Sequence, residues 1–286
     1  MIAWLAQPMT YEFMQRGLIA SLVIGVLCAV VGCYVVLRSM AFLGDALAHA
    51  ILPGIAIAYL VGGNLLIGAL AAAIIVAFSI GFFSRGGAIR EDTAIGILFA
   101  AALALGVLLI SRIRTFAVDL THILFGNILA VSPASLTLIL ILSAVVLTTL
   151  LVLYRPLLVV SFDPILAKTL RLPVEPLRYL MLVLLAVTIV VSLQTVGIGL
   201  VSAMLVIPGA SAYLLTRRLP SMMLISAVIG AVSSVLGLYV SYYMNVPSGA
   251  AIVLVATVVF LAAFFFAPRR GWLIQRLRLA KLENHA

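Results

Sequence analysis

Nine apolar stretches follow one another along the chain, each carrying few or no charged residues, and they restrict what it can fold into. Crossing about 30 Å of hydrocarbon takes roughly 20 helical residues at about 1.5 Å per residue. A backbone in lipid must satisfy its hydrogen bonds within the segment, and the sequence lacks the short alternating strands of a membrane barrel. The sequence therefore predicts an all-α fold, a polytopic membrane helical bundle.

The predicted spans cover residues 17–37, 40–60, 65–83, 93–110, 134–154, 177–194, 198–215, 222–242 and 250–267. This gives nine transmembrane helices, or eight if segment 40–60 or 198–215 is broken or re-entrant. Outside the spans we expect an interfacial segment at 1–16, an outer segment at 112–133, a cytoplasmic connection at 155–176 and a basic tail at 268–286. Nothing resembles a separate soluble domain, so residues 1–286 are predicted to form a single transmembrane domain.

The charge distribution predicts the orientation of the chain. Charged residues make up 9% of the sequence, whereas a soluble domain carries about 25%. The net charge of +9 does not indicate a nucleic-acid partner, because the basic residues lie between or beyond the apolar stretches. Placing the basic tail in the cytoplasm leaves three of the 17 basic residues as exceptions, Arg16, Arg112 and Arg114. The amino terminus is then predicted outside and the carboxy terminus in the cytoplasm.

Asp45 and His49 form the one acid–histidine pair inside a predicted span. Their i, i+4 spacing places both side chains on one helix face, about 6 Å apart along the axis. A carboxylate at that depth costs roughly 2.5 to 3.5 kcal/mol and usually marks a transport pathway. Imidazole nitrogen with carboxylate oxygen suits Mn²⁺, Fe²⁺ or Zn²⁺. The alternative is a polar pair that only locks helix packing.

The surroundings of this pair add a second expectation. Gly44, Pro53 and Gly54 flank it, so we expect a kinked helix with exposed carbonyl groups. Two side chains do not complete a coordination shell, so other helices or water must supply the remaining ligands. The residues alone do not name them.

The sequence also indicates which sources of energy could drive transport by this chain. The chain has no GxxxxGK[ST] phosphate loop, so we expect any ATP hydrolysis to occur in separate subunits. A proton- or sodium-driven carrier is expected to have further ionisable groups near the midplane, and no other span contains them. These observations favour a partner-driven or passive pathway. A secondary carrier or channel, and an intramembrane metal-dependent hydrolase, remain as alternatives.

The connection SFDPILAKTLRLPVEP (residues 161–176) is the predicted docking element for such a partner. It contains a short helix, predicted over 164–172, that Asp163 caps and that Pro164 and Pro173 bound. On its spacing alone, this segment is equally well explained as an ordinary solvated connector.

Five segments resemble the permease subunits of bacterial manganese, zinc and iron ABC importers. The resemblance extends over nearly the whole chain and is carried by the combination of motifs at residues 14–54, 91–100, 122–132, 161–173 and 197–218. It implies the type II importer permease fold in the bacterial cytoplasmic (inner) membrane. It also implies a homodimer that binds two cytoplasmic ATP-binding subunits and receives metal from an extracytoplasmic metal-binding protein.

The resemblance also assigns residues. The family's metal ligands are the Asp and His of its GDxxxHxxxPG motif, which here are Asp45 and His49. No cofactor is expected to be held permanently, and the transported ion is Mn, Zn or Fe, with manganese slightly favoured by the motifs. The family often has glycine at position 171, and its outer gate region corresponds to 122–127. The coupling helix maps onto Asp163, Pro164, Ala167, Lys168, Leu170 and Arg171.

Overall fold

A computed structural model describes residues 7–85, 89–112 and 128–267, apart from the side chains of residues 129, 194 and 195. Within these ranges the regular structure is entirely helical, as predicted. Two short 3-10 helices cover Pro8–Thr10 and Ile128–Ala130. The α-helices are α1 Glu12–Leu37, α2 Phe42–Ala50, α3 Leu52–Leu60, α4 Leu65–Phe83, α5 Glu91–Ser111, α6 Pro133–Val152, α7 Tyr154–Phe162, α8 Pro164–Thr169, α9 Val174–Val196, α10 Ile198–Leu215, α11 Leu219–Met244 and α12 Ser248–Phe266.

Nine segments of the described chain are long and apolar enough to cross a membrane, which confirms the larger of the two predicted counts. The predicted bounds of α4 and α10 agree with the structure residue for residue. Helix α1 begins at Glu12, so residues 12–16, which the sequence placed in an interfacial segment, form the first turns of a spanning helix. Residues 1–6 and the basic tail at 268–286 lie outside the described residues.

One span, Phe42–Leu60, is interrupted at Ile51 between α2 and α3, but it still counts as a span because its two halves together are long and apolar enough to cross a membrane. The carbonyl of His49 accepts a hydrogen bond from the N–H of Ile51. Pro53 lies in the first turn of α3 and has no N–H with which to continue the helical ladder. The kink expected from Pro53 is therefore present, and it lies directly after the metal-ligand candidates.

Small residues let α1 approach its neighbours at the centre of the bundle. A Cβ added to Gly32 would overlap the backbone carbonyl oxygen of Leu205 in α10. Gly25 packs in the same way against the backbone of Gly230 in α11. The Ser226 hydroxyl of α11 also donates a 2.8 Å hydrogen bond to the Ala29 carbonyl. Close backbone contact and buried hydroxyl bonds replace the hydrophobic effect, which drives little association between helices in lipid.

The predicted connection at 155–176 is more ordered than the sequence suggested. It contains α7, which was not predicted and which buries Leu157 and Val160. It also contains α8, which ends at Thr169, whereas the prediction extended the helix to residue 172. The connection therefore forms a compact helical surface at one end of the bundle.

Basic residues concentrate at the bundle end where α8 lies. The alternation of the helices brings nine of the eleven described Lys and Arg residues to that end: Arg38, Arg85, Arg90, Arg155, Lys168, Arg171, Arg178, Arg217 and Arg218. The other two, Arg16 and Arg112, lie at the opposite end. This asymmetry is the one expected of a cytoplasmic surface.

Candidate metal site and docking surface

Asp45 and His49 face each other on α2. His49 Nε2 lies 3.7 Å from Asp45 Oδ1, too far for a direct hydrogen bond and close enough for both atoms to contact one ion. The side chain of Asp45 is 42% exposed and that of His49 is 25% exposed in the single chain. The pair is therefore open on one side, as a binding site must be.

Contacts with α5 fix the depth of the pair. The ring of Phe99 lies 5.9 Å from the His49 ring and 5.5 Å from the Phe42 ring, both in edge-to-face geometry. Phe99 is eight residues into α5, which is about 12 Å from the start of that helix. His49 therefore lies about two turns inside the span Phe42–Leu60, and Asp45 lies one turn nearer the bundle end where α8 lies.

No third protein ligand joins this pair in the part of the chain that the structure describes. A search of those residues finds no group of three or more His, Cys, Asp or Glu side chains able to hold a metal ion. The next helix turns of the same span instead line an apolar cavity of about 550 Å³, formed mainly by α3, α4 and α5. Among the described residues, Asp45 and His49 are therefore the two candidate ligands at this position.

The predicted docking element also has defined geometry. Asp163 Oδ1 accepts hydrogen bonds from the N–H groups of Ile165 at 2.9 Å and Leu166 at 3.0 Å, which confirms the predicted cap. Ala167 is buried against the bundle, so the helix is fixed on one side. The other predicted coupling residues, Pro164, Lys168, Leu170 and Arg171, are all exposed.

The exposed side of α8 carries three apolar residues, Ile165, Leu166 and Leu170, which form the candidate docking surface. Ile165 is 78% exposed, and Leu166 and Leu170 are 48% and 56% exposed. These residues lie outside every candidate membrane span. An exposed apolar patch with a basic rim, on a segment outside the candidate spans, is typical of a protein-binding surface.

The family model described as the ABC 3 transport family matches residues 10–267. The chain belongs to this family. It is 48% identical over 272 residues to the manganese transport system membrane protein MntC of Halalkalibacterium halodurans, covering 95% of this chain and 93% of that one. It is 38% identical to the probable iron transport system membrane protein of Haemophilus influenzae, covering 94% and 99%.

A solved structure with a similar fold is PsaBC from Streptococcus pneumoniae in complex with Fab. It shares 40% sequence identity with this chain at a TM-score of 0.84. The match covers 96% of this chain and all of that chain. Together with the nine apolar helices, the family assignment makes this permease a multi-pass membrane protein.

The structure also reveals an ion-pair cluster that the sequence did not predict. Glu91, the first residue of α5, lies between Arg38, which follows α1, and Arg178 of α9. From the sequence alone, Glu91 was only a residue outside the predicted spans. Its partners are 53 positions before it and 87 positions after it, and no local sequence pattern connects residues so far apart. Residues 122–127, which the resemblance assigns to the outer gate region, lie outside the described residues.

Proposed function

We propose that this permease forms the membrane pathway of an ATP-driven importer for a divalent transition metal, with manganese as the preferred substrate. The observation that carries the proposal is a facing carboxylate and imidazole inside a candidate membrane span. The names of the relatives support manganese first and iron second. Carboxylate oxygen and imidazole nitrogen are suitable ligands for both ions.

In this proposal, a second copy of the chain completes the coordination shell. Asp45 and His49 supply two ligands, and no third one lies near them among the described residues. Both side chains remain partly exposed in the single chain, on a segment apolar enough to cross the membrane. A symmetric dimer that brings two such pairs together would provide four ligands, the usual minimum for these ions.

The docking surface provides the link to ATP. Separate ATP-binding subunits would cover Ile165, Leu166 and Leu170, since these apolar side chains are exposed outside the membrane. The basic residues at the same end support a cytoplasmic location for that surface. Movement of α8 during the ATP cycle would then open the metal site alternately to the two sides of the inner membrane. An extracytoplasmic metal-binding protein would deliver the ion.

The test is uptake of radioactive manganese by proteoliposomes that contain the complete complex. Asp45→Asn and His49→Ala are expected to abolish uptake while retaining a normal amount of bound ATP-binding subunits. Glu12→Gln is the matched control, because Glu12 is the first residue of α1 and pairs with Arg16 at the surface. Normal uptake by both site variants would overturn the site assignment. Uptake without any ATP-binding subunit would indicate a secondary carrier or channel instead.

A further inference from the structure

A cluster of four side chains joins four helix ends on the side of the bundle where α8 lies. Glu91 Oε2 accepts a 3.1 Å hydrogen bond from Arg38 Nη2, and Glu91 Oε1 lies 3.3 Å from Arg178 Nε. Arg178 Nη2 also donates to the hydroxyl of Ser84, directly after α4. These atoms connect the end of α1, the end of α4, the start of α5 and the first turns of α9.

Both arginines of this cluster form their ion pairs with the same carboxylate, that of Glu91. The side chains of Arg38, Glu91 and Arg178 are 14%, 20% and 15% exposed, so solvent screens them weakly. Glu91 also lies in the first turn of α5, where the helix dipole favours a negative charge. Removing the Glu91 carboxylate would break the ion pair that each of the two partly buried guanidinium groups makes with it.

On one side, the cluster is connected to the docking surface. Arg178 lies four residues after the start of α9, and α9 follows α8 through a short turn. Helix α8 packs on α7 and on α9. A displacement of α8 would therefore be transmitted to Arg178 through the short turn and the first turns of α9.

On the other side, the cluster is connected to the metal-ligand candidates by two routes. Arg38 precedes the tight turn at Ser39 that leads into α2, seven residues before Asp45. Glu91 begins α5, and eight residues later Phe99 of the same helix contacts the His49 ring. Both routes pass through Glu91, which neither binds the metal nor touches the docking surface.

We infer that Glu91 is a positioning residue that couples movement of the α8 docking surface to the Asp45–His49 site, acting through Arg178 on one side and through Arg38 and Phe99 on the other. This inference rests on the proposed function. Helix α5, with Glu91 at its start, moves with α9 while its salt bridges hold. The two pairs thus convert displacement of α8 into a shift of the surroundings of His49.

The decisive measurement is the ratio of manganese transported to ATP hydrolysed by the complete complex in proteoliposomes. Glu91→Gln is expected to bind its partners and hydrolyse ATP while the ratio falls about five-fold or more, in the range of coupling free energies between distant sites. A purely structural role predicts something different. Uptake and hydrolysis would then fall together with the amount of assembled complex, and the unchanged ratio would overturn the inference.

Three further variants complete the experiment. Glu12→Gln removes the carboxylate of the other arginine pair, at the opposite end, and is expected to keep the wild-type ratio. Arg178→Gln combined with Glu91→Gln is expected to be no worse than the more affected single variant, since residues of one unit are not additive. Additive losses would contradict a shared route. If Glu91→Gln does not assemble, Glu91→Asp, which keeps the charge and shortens its reach, is expected to show the lowered ratio, and a wild-type ratio in it would overturn the inference.

The wild-type complex separates the two proposals. If it transports no divalent metal under these conditions, the proposed function fails. If it transports manganese and Glu91→Gln does so at the same ratio, the proposed function stands and the coupling role of Glu91 fails.

Discussion

At the scale of single residues, Arg171 occupies a backbone conformation that favours glycine. Arg171 has a φ of +56°, in the left-handed region that favours glycine. It follows α8 in a Schellman motif: the N–H of Leu172 bonds to the carbonyl of Ala167 at 3.0 Å, and the N–H of Arg171 to that of Lys168 at 3.0 Å. Arg171 therefore occupies a position where its side chain costs conformational energy, which is a physical reason for the glycine that the family resemblance leads us to expect there.

This conformation leads to a prediction at position 171. Arg171→Gly is expected to keep the ATP-binding subunits bound, because glycine adopts the left-handed conformation without strain. Arg171→Val removes the same charge but adds a β-branched side chain, at a cost of at least about 1–2 kcal/mol. Copurification of the subunits measures the difference. Equal losses in both variants would mean that the charge matters and the turn does not.

A second prediction concerns close packing at Gly32. Gly32→Ala is expected to lower the melting temperature in detergent by several degrees, because its Cβ would overlap the Leu205 carbonyl and overpacking costs about 1–3 kcal/mol. Gly96→Ala is the matched control inside α5, where no atom lies within 4 Å of the added Cβ. That variant is expected to melt at or above the wild-type temperature, since alanine favours helix. A stable Gly32→Ala protein would show that α1 and α10 can separate at little cost.

At the scale of helices, α8 depends on its amino-terminal cap. It has only six residues, so it forms no stable helix alone, and one carboxylate satisfies two of its first N–H groups. Asn64 caps α4 in the same manner at the other end of the bundle, accepting from Leu66 and Ile67. The two caps are chemically alike, but only that of Asp163 supports the docking surface.

These caps support a prediction at the helix scale. Asp163→Ala is expected to lose about 1 kcal/mol of helix stability and to weaken binding of the ATP-binding subunits severalfold. Asp163→Asn retains an oxygen acceptor and is expected to bind normally. Asn64→Ala should cost similar stability without affecting partner binding, which surface plasmon resonance can measure. Weak binding by Asp163→Asn would assign the effect to the charge and not to the cap.

At the scale of the whole molecule, the proposed half-site determines the stoichiometry of metal binding. Two copies that share one ion are expected to bind about one Mn²⁺ for every two permease chains, since four ligands form one shell. Equilibrium dialysis of the purified complex, followed by elemental analysis, gives this ratio. Asp45→Asn supplies the background from adventitious sites. One site-specific ion for each chain would contradict a shared site.

The sequence by itself determined those features of the protein that depend on residues close together in the chain. Apolar length predicted all nine spans, since crossing lipid requires long helices whatever their neighbours, and Pro53 predicted the break between α2 and α3. The i, i+4 spacing predicted that Asp45 and His49 share a face, and Asp163 predicted the start of α8. Each of these features depends on residues only a few positions apart.

Only the tertiary structure decided the features that link distant parts of the chain. Helix α7 was missed because the amphipathic pattern that buries Leu157 and Val160 is short and has no long apolar run. The contact of Phe99 with His49 and the salt bridges of Glu91 depend on how α5 packs beside α2 and α9. The apolar residues of a membrane helix do not predict which helix will pack beside it, because lipid and protein are similarly apolar. Small residues and the few buried charges therefore decide the packing, and their partners become visible only in the folded chain.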